Sequence, residues 1–348
     1  MKLETFKYDL PEQLIAQQTI YPKHCCRMMY ANPKTEEIKD FHFYDFNNFI
    51  DSNDVIVVND TRVLSAVLRG KRQNGSQIEI KMVSRKENNV WDCVVESRKG
   101  VEIGERLYFG ENSELVGKVI NENWCETGWL IKFSINNGSV EDEIKKIGQY
   151  FLPLHLPQKL NDNEDYQTVY SKVEGSLQPP TAGLHFTDKY LNFLSEKGIK
   201  IIKITQHVGR LDKRLENDNI ESHQMYEEHY DVSEEAASEI NQARKNGGRI
   251  IGIGTTVTRT LETVVDDDGI IHSGSGWTKL YIYPGFKFKA IDALLTNFQS
   301  PGITTLILAC AFGGTEFTLN AYREAVRRNY RFLEFGDCIF FENTKSHR

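Results

Sequence analysis

The six cysteines, Cys25, Cys26, Cys93, Cys125, Cys310 and Cys338, form no CxxC pair and no zinc-knuckle spacing. That excludes a disulfide-stapled small fold and a metal ribbon built from neighbouring ligands, and no metal is expected. No run reaches the ~18 apolar residues that span a bilayer, so no membrane partner is expected. An excess of positive charge is missing too: 42 Lys and Arg stand against 49 Asp and Glu, a formal net charge of −7. Coating nucleic acid through bulk charge is excluded, while a local basic groove is not. Met1-Lys2-Leu3-Glu4 lacks the basic and apolar stretches of a secretory leader. The expectation is a cytoplasmic protein with reduced thiols.

What is present is ordinary for a globular chain: 40% hydrophobic and 26% charged residues over 348 positions, enough for two domains. Asp54-Val55-Ile56-Val57-Val58 is a continuous β-branched run, which suits a strand buried on both faces. Residues 63–151 change character. Short alternating runs such as Ile78-Glu79-Ile80-Lys81-Met82-Val83 are divided by turns such as Gln73-Asn74-Gly75, which predicts an inserted antiparallel β-barrel with a docking role. After residue 151 helix and strand alternate again. Strands are predicted over 199–205, 249–253, 279–283 and 337–341, with helices over 233–243, 304–312 and 321–330. Residues 1–62 plus 152–348 therefore read as one α/β domain, a mixed sheet with flanking helices.

The stretch Gln178-Pro179-Pro180-Thr181-Ala182-Gly183-Leu184-His185-Phe186-Thr187 stands out. Two prolines fix the turn, Gly183 gives a free φ or room for a close approach, and Thr187 reads as a helix cap. His185 is then either a hydrogen-bonded structural imidazole or a proton carrier near neutral pH. Asn59-Asp60-Thr61-Arg62 follows a buried strand, where open α/β sheets hold ligands. Gly254-Thr255-Thr256 opens a helix whose N–H groups can hold an anion, and it lacks the third glycine of a dinucleotide fingerprint. Arg259 and Glu262 are spaced to pair along that helix. His223 and Glu228, in His223-Gln224-Met225-Tyr226-Glu227-Glu228-His229, suit a hydrogen-bonded acid/base pair or a polar surface segment, and do not match HExxH. Asn297-Phe298 offers an amide and a ring for a purine, or a core aromatic.

In order, these pieces resemble the S-adenosylmethionine:tRNA ribosyltransferase-isomerase family of queuosine biosynthesis. The match runs through Tyr8-Asp9-Leu10-Pro11, Val58-Asn59-Asp60-Thr61-Arg62-Val63, Tyr166-Gln167-Thr168-Val169-Tyr170 and Pro180-Thr181-Ala182-Gly183-Leu184-His185-Phe186-Thr187. It continues through His207-Val208-Gly209, Gly254-Thr255-Thr256, Ile282-Tyr283-Pro284-Gly285, Asp292-Ala293-Leu294-Leu295-Thr296-Asn297-Phe298 and Tyr330-Arg331-Phe332. The resemblance implies that S-adenosyl-L-methionine gives its ribosyl group to 7-aminomethyl-7-deazaguanine at the wobble position of tRNA. Epoxyqueuosine, adenine and methionine are the implied products, and no metal is needed. For that chemistry the candidate catalytic residues are His185, Thr181, Glu228 and His223. The candidate substrate-binding residues are Asn59, Asp60, Arg62, Gly183, His207, Thr256, Arg259, Asn297 and Phe298. The chain departs from the family pattern at residues 210–214, at Tyr226, at Gln178-Pro179 and at Gln299-Ser300. Two other readings stand beside this one: a paralogue that uses a small deazapurine or nucleoside acceptor, and a non-catalytic S-adenosylmethionine- or RNA-binding protein. Oligomeric state stays open, with a monomer favoured.

Overall fold

The computed structural model describes residues 1–96, 100–112, 114–123, 128–157, 160, 162–209, 215 and 217–342. Cys125 and residues 210–214 lie outside the described residues. Chain order begins with β1 (Arg27–Asn32), β2 (Glu37–His42), β3 (Val55–Asn59) and β4 (Thr61–Val63). Then come β5 (Val67–Arg72), β6 (Gln77–Glu87), β7 (Val90–Glu96), β8 (Arg106–Phe109), β9 (Leu115–Asn123), β10 (Gly128–Ile135) and α1 (Val140–Ile147). The second half holds β11 (Val173–Ser176), α2 (Asp188–Glu196), β12 (Lys200–Gln206), β13 (Glu228–Val232), α3 (Glu234–Lys245), β14 (Ile250–Ile253) and α4 (Gly254–Val264). It ends with β15 (Gly274–Thr278), β16 (Ala293–Asn297), α5 (Thr304–Gly313), α6 (Thr315–Arg327) and β17 (Cys338–Glu342).

Nine strands form one sheet in the order β15-β13-β12-β3-β14-β16-β17-β1-β2, and its central β12, β3, β14 and β16 run parallel. Side chains alternate across a strand. Val55 and Val57 accordingly enter one core, with Ile240, Val257 and Leu306, while Ile56 and Val58 enter the other, with Phe43, Phe186 and Phe340. Burial on both faces is why this strand reads as an unbroken apolar run.

β5 to β10 close into a six-stranded barrel in the order β10-β7-β6-β5-β8-β9. Leu68, Ile80, Leu107, Phe109, Val119, Ile131 and Phe133 fill it, and Ile144 of α1 packs on that core. Gly117 is needed inside, because a Cβ there would lie 2.9 Å from Ile131. The expected α/β domain with an inserted barrel is therefore present.

Some elements differ from expectation. Residues 279–283 form no strand. Leu280 gives its N–H to Thr278 Oγ1 (3.1 Å) and its carbonyl accepts from Arg259 Nε (2.9 Å), so its ladder groups are used elsewhere. Thr61-Arg62-Val63, just past the end of β3, is β4 and pairs parallel with β11. Residue 43 begins a 3-10 helix, Phe43–Phe49, entered through a His42/Asp45 capping box. Thr187 caps α2 and Ser233 caps α3, as their positions predict. Among the described residues, no helix is long and apolar enough to cross a membrane.

Candidate active site

The parallel strands end together. Asn59 closes β3, Gln206 closes β12, and Gly254 follows β14 at φ +90°, where it turns the chain into α4. Ligand-bearing side chains gather beyond such strand ends in open α/β sheets.

Asn59 is fully buried and works as a cross-brace. Its Nδ2 donates to the Gln206 carbonyl (2.8 Å) and to Thr256 Oγ1 (3.2 Å), while its Oδ1 accepts from the N–H groups of Gln206 (2.9 Å) and Thr61 (3.1 Å). That ties β3, β12 and the first turn of α4 into one frame. Gln206, also fully buried, passes the frame outward: its Oε1 accepts from Thr260 (2.7 Å) and its Nε2 donates to Glu228 (2.7 Å).

Glu228 is the focus of the site. Its carboxylate accepts from Gln206 Nε2, from the Gly209 N–H (3.1 Å) and from Arg259 Nη1, and the pair with Arg259 is almost wholly shielded from water. Arg259 therefore pairs with a residue 31 positions away and not with Glu262. Glu262 instead accepts backbone N–H groups from Lys289 (3.0 Å) and Ala290 (2.9 Å), and burial raises its pKa against those contacts. Arg259 has one donor left: Nη2 is buried with no partner among the described residues. Buried donors are nearly always paired, so an orphan on a guanidinium marks a place for an anion.

Two cavities meet at Glu228. The narrow one, about 50 Å³, is lined by His223, Thr255, Thr256, Arg259, Tyr281 and Thr304, so the first turns of both α4 and α5 face it. The His223 ring meets Tyr281 edge-on at 5.2 Å. The wide one, about 390 Å³, runs between the sheet and the barrel, lined by Arg85, Trp91, Gly175, His207, His229 and Trp277. Tyr226 and Glu228 belong to both. Trp277 is 54% exposed and its ring meets His229 at 5.2 Å. His207 bonds Thr61 Oγ1 through Nδ1 (2.8 Å). Burial, helped by His229, pushes its pKa down to about 4, so it is neutral at physiological pH. A Cβ on Gly175 would sit 2.5 Å from the His207 ring, which is why a glycine lies beneath it.

His185 lies elsewhere. It ends the 3-10 helix Thr181–His185, is 4% exposed and packs on Phe43. Its Nδ1 meets Cys26 Sγ at 3.1 Å and its Nε2 meets Asn297 Oδ1 at 2.8 Å. Burial works against the imidazolium, but Cys26, Asn297 and Asp337 outweigh it and the pKa rises. His185 lines neither the narrow nor the wide cavity. Cys26, His185 and Cys338 together are a buried group able to hold a metal.

The structure thus brings Glu228, His223, Thr256 and Arg259 to one cavity, with His207 on the adjoining cleft. Asn59 and Asn297 are buried braces, and Asp60 is buried against Thr205 Oγ1 (2.6 Å). Arg62 turns toward Ser171 and Glu164. Gly183 is there for packing: a Cβ would come within 2.1 Å of the Tyr170 hydroxyl. Phe298 takes its core alternative, fully buried among Tyr322, Tyr330 and Phe332, and has no face for a purine. Thr181 is half-buried on the same turn as His185. Gln206, Tyr281 and Trp277 were not among the expected site residues. Trp277 alone carried a signal, as a tryptophan flanked by Gly276 and Thr278 in a polar stretch.

The profile of a family described as "Queuosine biosynthesis protein" matches residues 3–341. A relative from Caldanaerobacter subterraneus subsp. tengcongensis, called S-adenosylmethionine:tRNA ribosyltransferase-isomerase, is 44% identical over 97% of this chain and 99% of its own length. A relative of the same description from Thermoanaerobacter sp. is 43% identical over the same shares. The crystal structure of an S-adenosylmethionine tRNA ribosyltransferase from Thermotoga maritima superposes with a TM-score of 0.55 at 30% identity, covering 97% of this chain and 99% of that one.

Proposed function

The chain belongs to the queuosine biosynthesis protein family, and on that premise we propose that it is an S-adenosylmethionine:tRNA ribosyltransferase-isomerase. The ribosyl group of S-adenosylmethionine passes to the aminomethyl nitrogen of 7-aminomethyl-7-deazaguanine in the tRNA wobble position. Epoxyqueuosine forms, and adenine and methionine leave. The setting is cytoplasmic, with the tRNA.

One observation carries the reading of the site: the unpaired Arg259 Nη2 beside two helix first turns. A carboxylate such as that of the methionine moiety would satisfy that donor and face the positive ends of α4 and α5. Tyr226 and Glu228 line both cavities, so a donor seated at Arg259 in the narrow one extends past Glu228 into the wide cleft. That puts the sulfonium and its C5′–H at the junction. We assign proton abstraction to Glu228. Gln206 Nε2, the Gly209 N–H and Arg259 Nη1 hold the Glu228 carboxylate at that junction as the base, while Arg259 Nη2 takes the carboxylate of the substrate. His223 lines the narrow cavity on the methionine side of the junction, and the leaving adenine lies on the wide-cleft side. The acceptor base lies in the wide cleft, where Trp277 gives a stacking face, neutral His207 an edge and Arg85 of the barrel a cation for the phosphates. In this reading residues 63–151 are an inserted docking domain, and His185 with Asn59 and Asn297 holds the frame without touching substrate.

The test is incubation with S-adenosylmethionine and tRNA carrying the deazaguanine base, followed by nucleoside mass analysis. Epoxyqueuosine with equimolar adenine is expected. Adenine release without tRNA product would redirect the reading to a small acceptor, and release of neither would end it.

A further inference from the structure

Cys26, His185 and Cys338 are separated by 159 and 153 positions, yet their Sγ and ring-nitrogen atoms all lie within 4.8 Å of one another. Cys26 precedes β1, Cys338 opens β17, and β17 pairs parallel with β1. All three side chains are buried, at 1%, 4% and 0% exposure.

The tautomer of His185 follows from its neighbour. Asn297 donates through Nδ2 to the carbonyls of Leu333 (2.8 Å) and Glu334 (3.2 Å), so the atom it shows to His185 is an acceptor. Nε2 therefore carries the hydrogen, and the Nδ1 lone pair points at Cys26 Sγ. Metal-ligating histidines are held in this way, with the second ring nitrogen donating to an oxygen that fixes the ring. Bond lengths of about 2.3 Å to sulfur and about 2.0 Å to nitrogen place tetrahedral S and N ligands roughly 3.5 Å apart. The observed 3.1 Å, set now by an S–H···N contact, needs only a few tenths of an ångström of opening.

Charge decides which ion fits. A buried site tolerates an ion when its ligands cancel the charge. Two thiolates and a neutral imidazole cancel a dication. A small cavity of about 10 Å³ opens over Cys26 and His185, with Lys23 and Glu334 at its rim. That is room for a single water.

We propose that Cys26, His185 and Cys338 bind one Zn²⁺, with a water in this cavity as the fourth ligand. Binding forms two Zn–S bonds and one Zn–N bond, and the two thiol protons leave to solvent. The ion clamps β1, β17 and the Thr181–His185 turn together. It takes no part in ribosyl transfer and does not depend on the function proposed above.

The experiment uses the full chain, reduced and stripped with chelator, titrated with Co²⁺ and then Zn²⁺. Expected are one Co²⁺ per chain, visible bands of a tetrahedral site, a thiolate-to-cobalt charge-transfer band, and displacement by one equivalent of Zn²⁺. Two protons released per Zn²⁺ should appear in the buffer dependence of the binding enthalpy. Cys26→Ser and Cys338→Ala should each lose the site with the circular dichroism spectrum unchanged. Cys25→Ser should keep it, and Asn297→Ala should weaken Zn²⁺ binding roughly 10–100-fold. No charge-transfer band in the folded, reduced protein would overturn the proposal, as would a band that survives the Cys26→Ser/Cys338→Ala double variant. A Cys26–Cys338 disulfide in the isolated protein, with no metal uptake after reduction, would overturn it equally.

Discussion

Arg259→Lys is the most informative single change at the site. Arg259 uses Nε on the Leu280 carbonyl and Nη1 on Glu228, and Nη2 has no partner among the described residues. Lysine keeps a cation beside Glu228 but cannot serve three directions with fixed geometry. If Nη2 takes the methionine carboxylate, the change removes one charge-assisted hydrogen bond, about 1.5–3 kcal/mol. At 1.4 kcal/mol per decade, S-adenosylmethionine affinity should fall about 10- to 150-fold. The tRNA KM should stay put. Calorimetric titration with S-adenosylmethionine and with its decarboxylated analogue, on both proteins, closes a cycle. Either change alone should be costly, and the second should add little once the first is made. Penalties that sum to within about 0.5 kcal/mol would show that Arg259 and the carboxylate do not meet, and the site reading would fail with them.

His207 titrates near pH 4 in the folded chain against 6.5 for the free side chain, so the unfolded chain binds the extra proton first. Stability should therefore fall as pH drops from about 6.5 to 4, by up to about 3 kcal/mol from this group, and stay level above. Urea midpoints of the wild type minus His207→Gln isolate that slope, and parallel curves would refute it. Phe298→Ala should cost about 3–5 kcal/mol of stability while turnover per folded molecule holds, and a changed KM at unchanged stability would return the ring to the substrate. Gly183→Ala drives a Cβ to within 2.1 Å of the Tyr170 hydroxyl and should cost about 1–3 kcal/mol in thermal or urea unfolding, so a neutral result would contradict the packing role.

Periodicity carried the scaffold. The unbroken 54–58 run announced a strand with two covered faces, and the short alternating runs of 63–151 announced the barrel. Periodicity failed at 279–283, where apolar residues alternate but the Leu280 carbonyl is taken by a guanidinium from α4. Sequence spacing suggested that Arg259 pairs with Glu262, one turn away. The fold pairs it with Glu228 across the gap between α4 and β13, and local spacing holds no trace of that. His185 shows the same limit from the other side. Its motif was the most distinctive in the chain, yet its ring is enclosed by two cysteines and an amide from three distant segments. A rigid, specific motif marks a place that must not move, which a brace satisfies as well as a catalyst.

The position of β17 has a cost during synthesis. The last described strand sits between β16 and β1, so the chain's opening hairpin has no neighbour to join until about 300 further residues are made. At roughly 5–20 residues per second that wait is roughly 15–60 s. The barrel, whose partners all come from within one stretch of chain, can close meanwhile. The growing chain thus carries a finished module and an unfinished platform until β17 emerges, and that strand acts as the keystone.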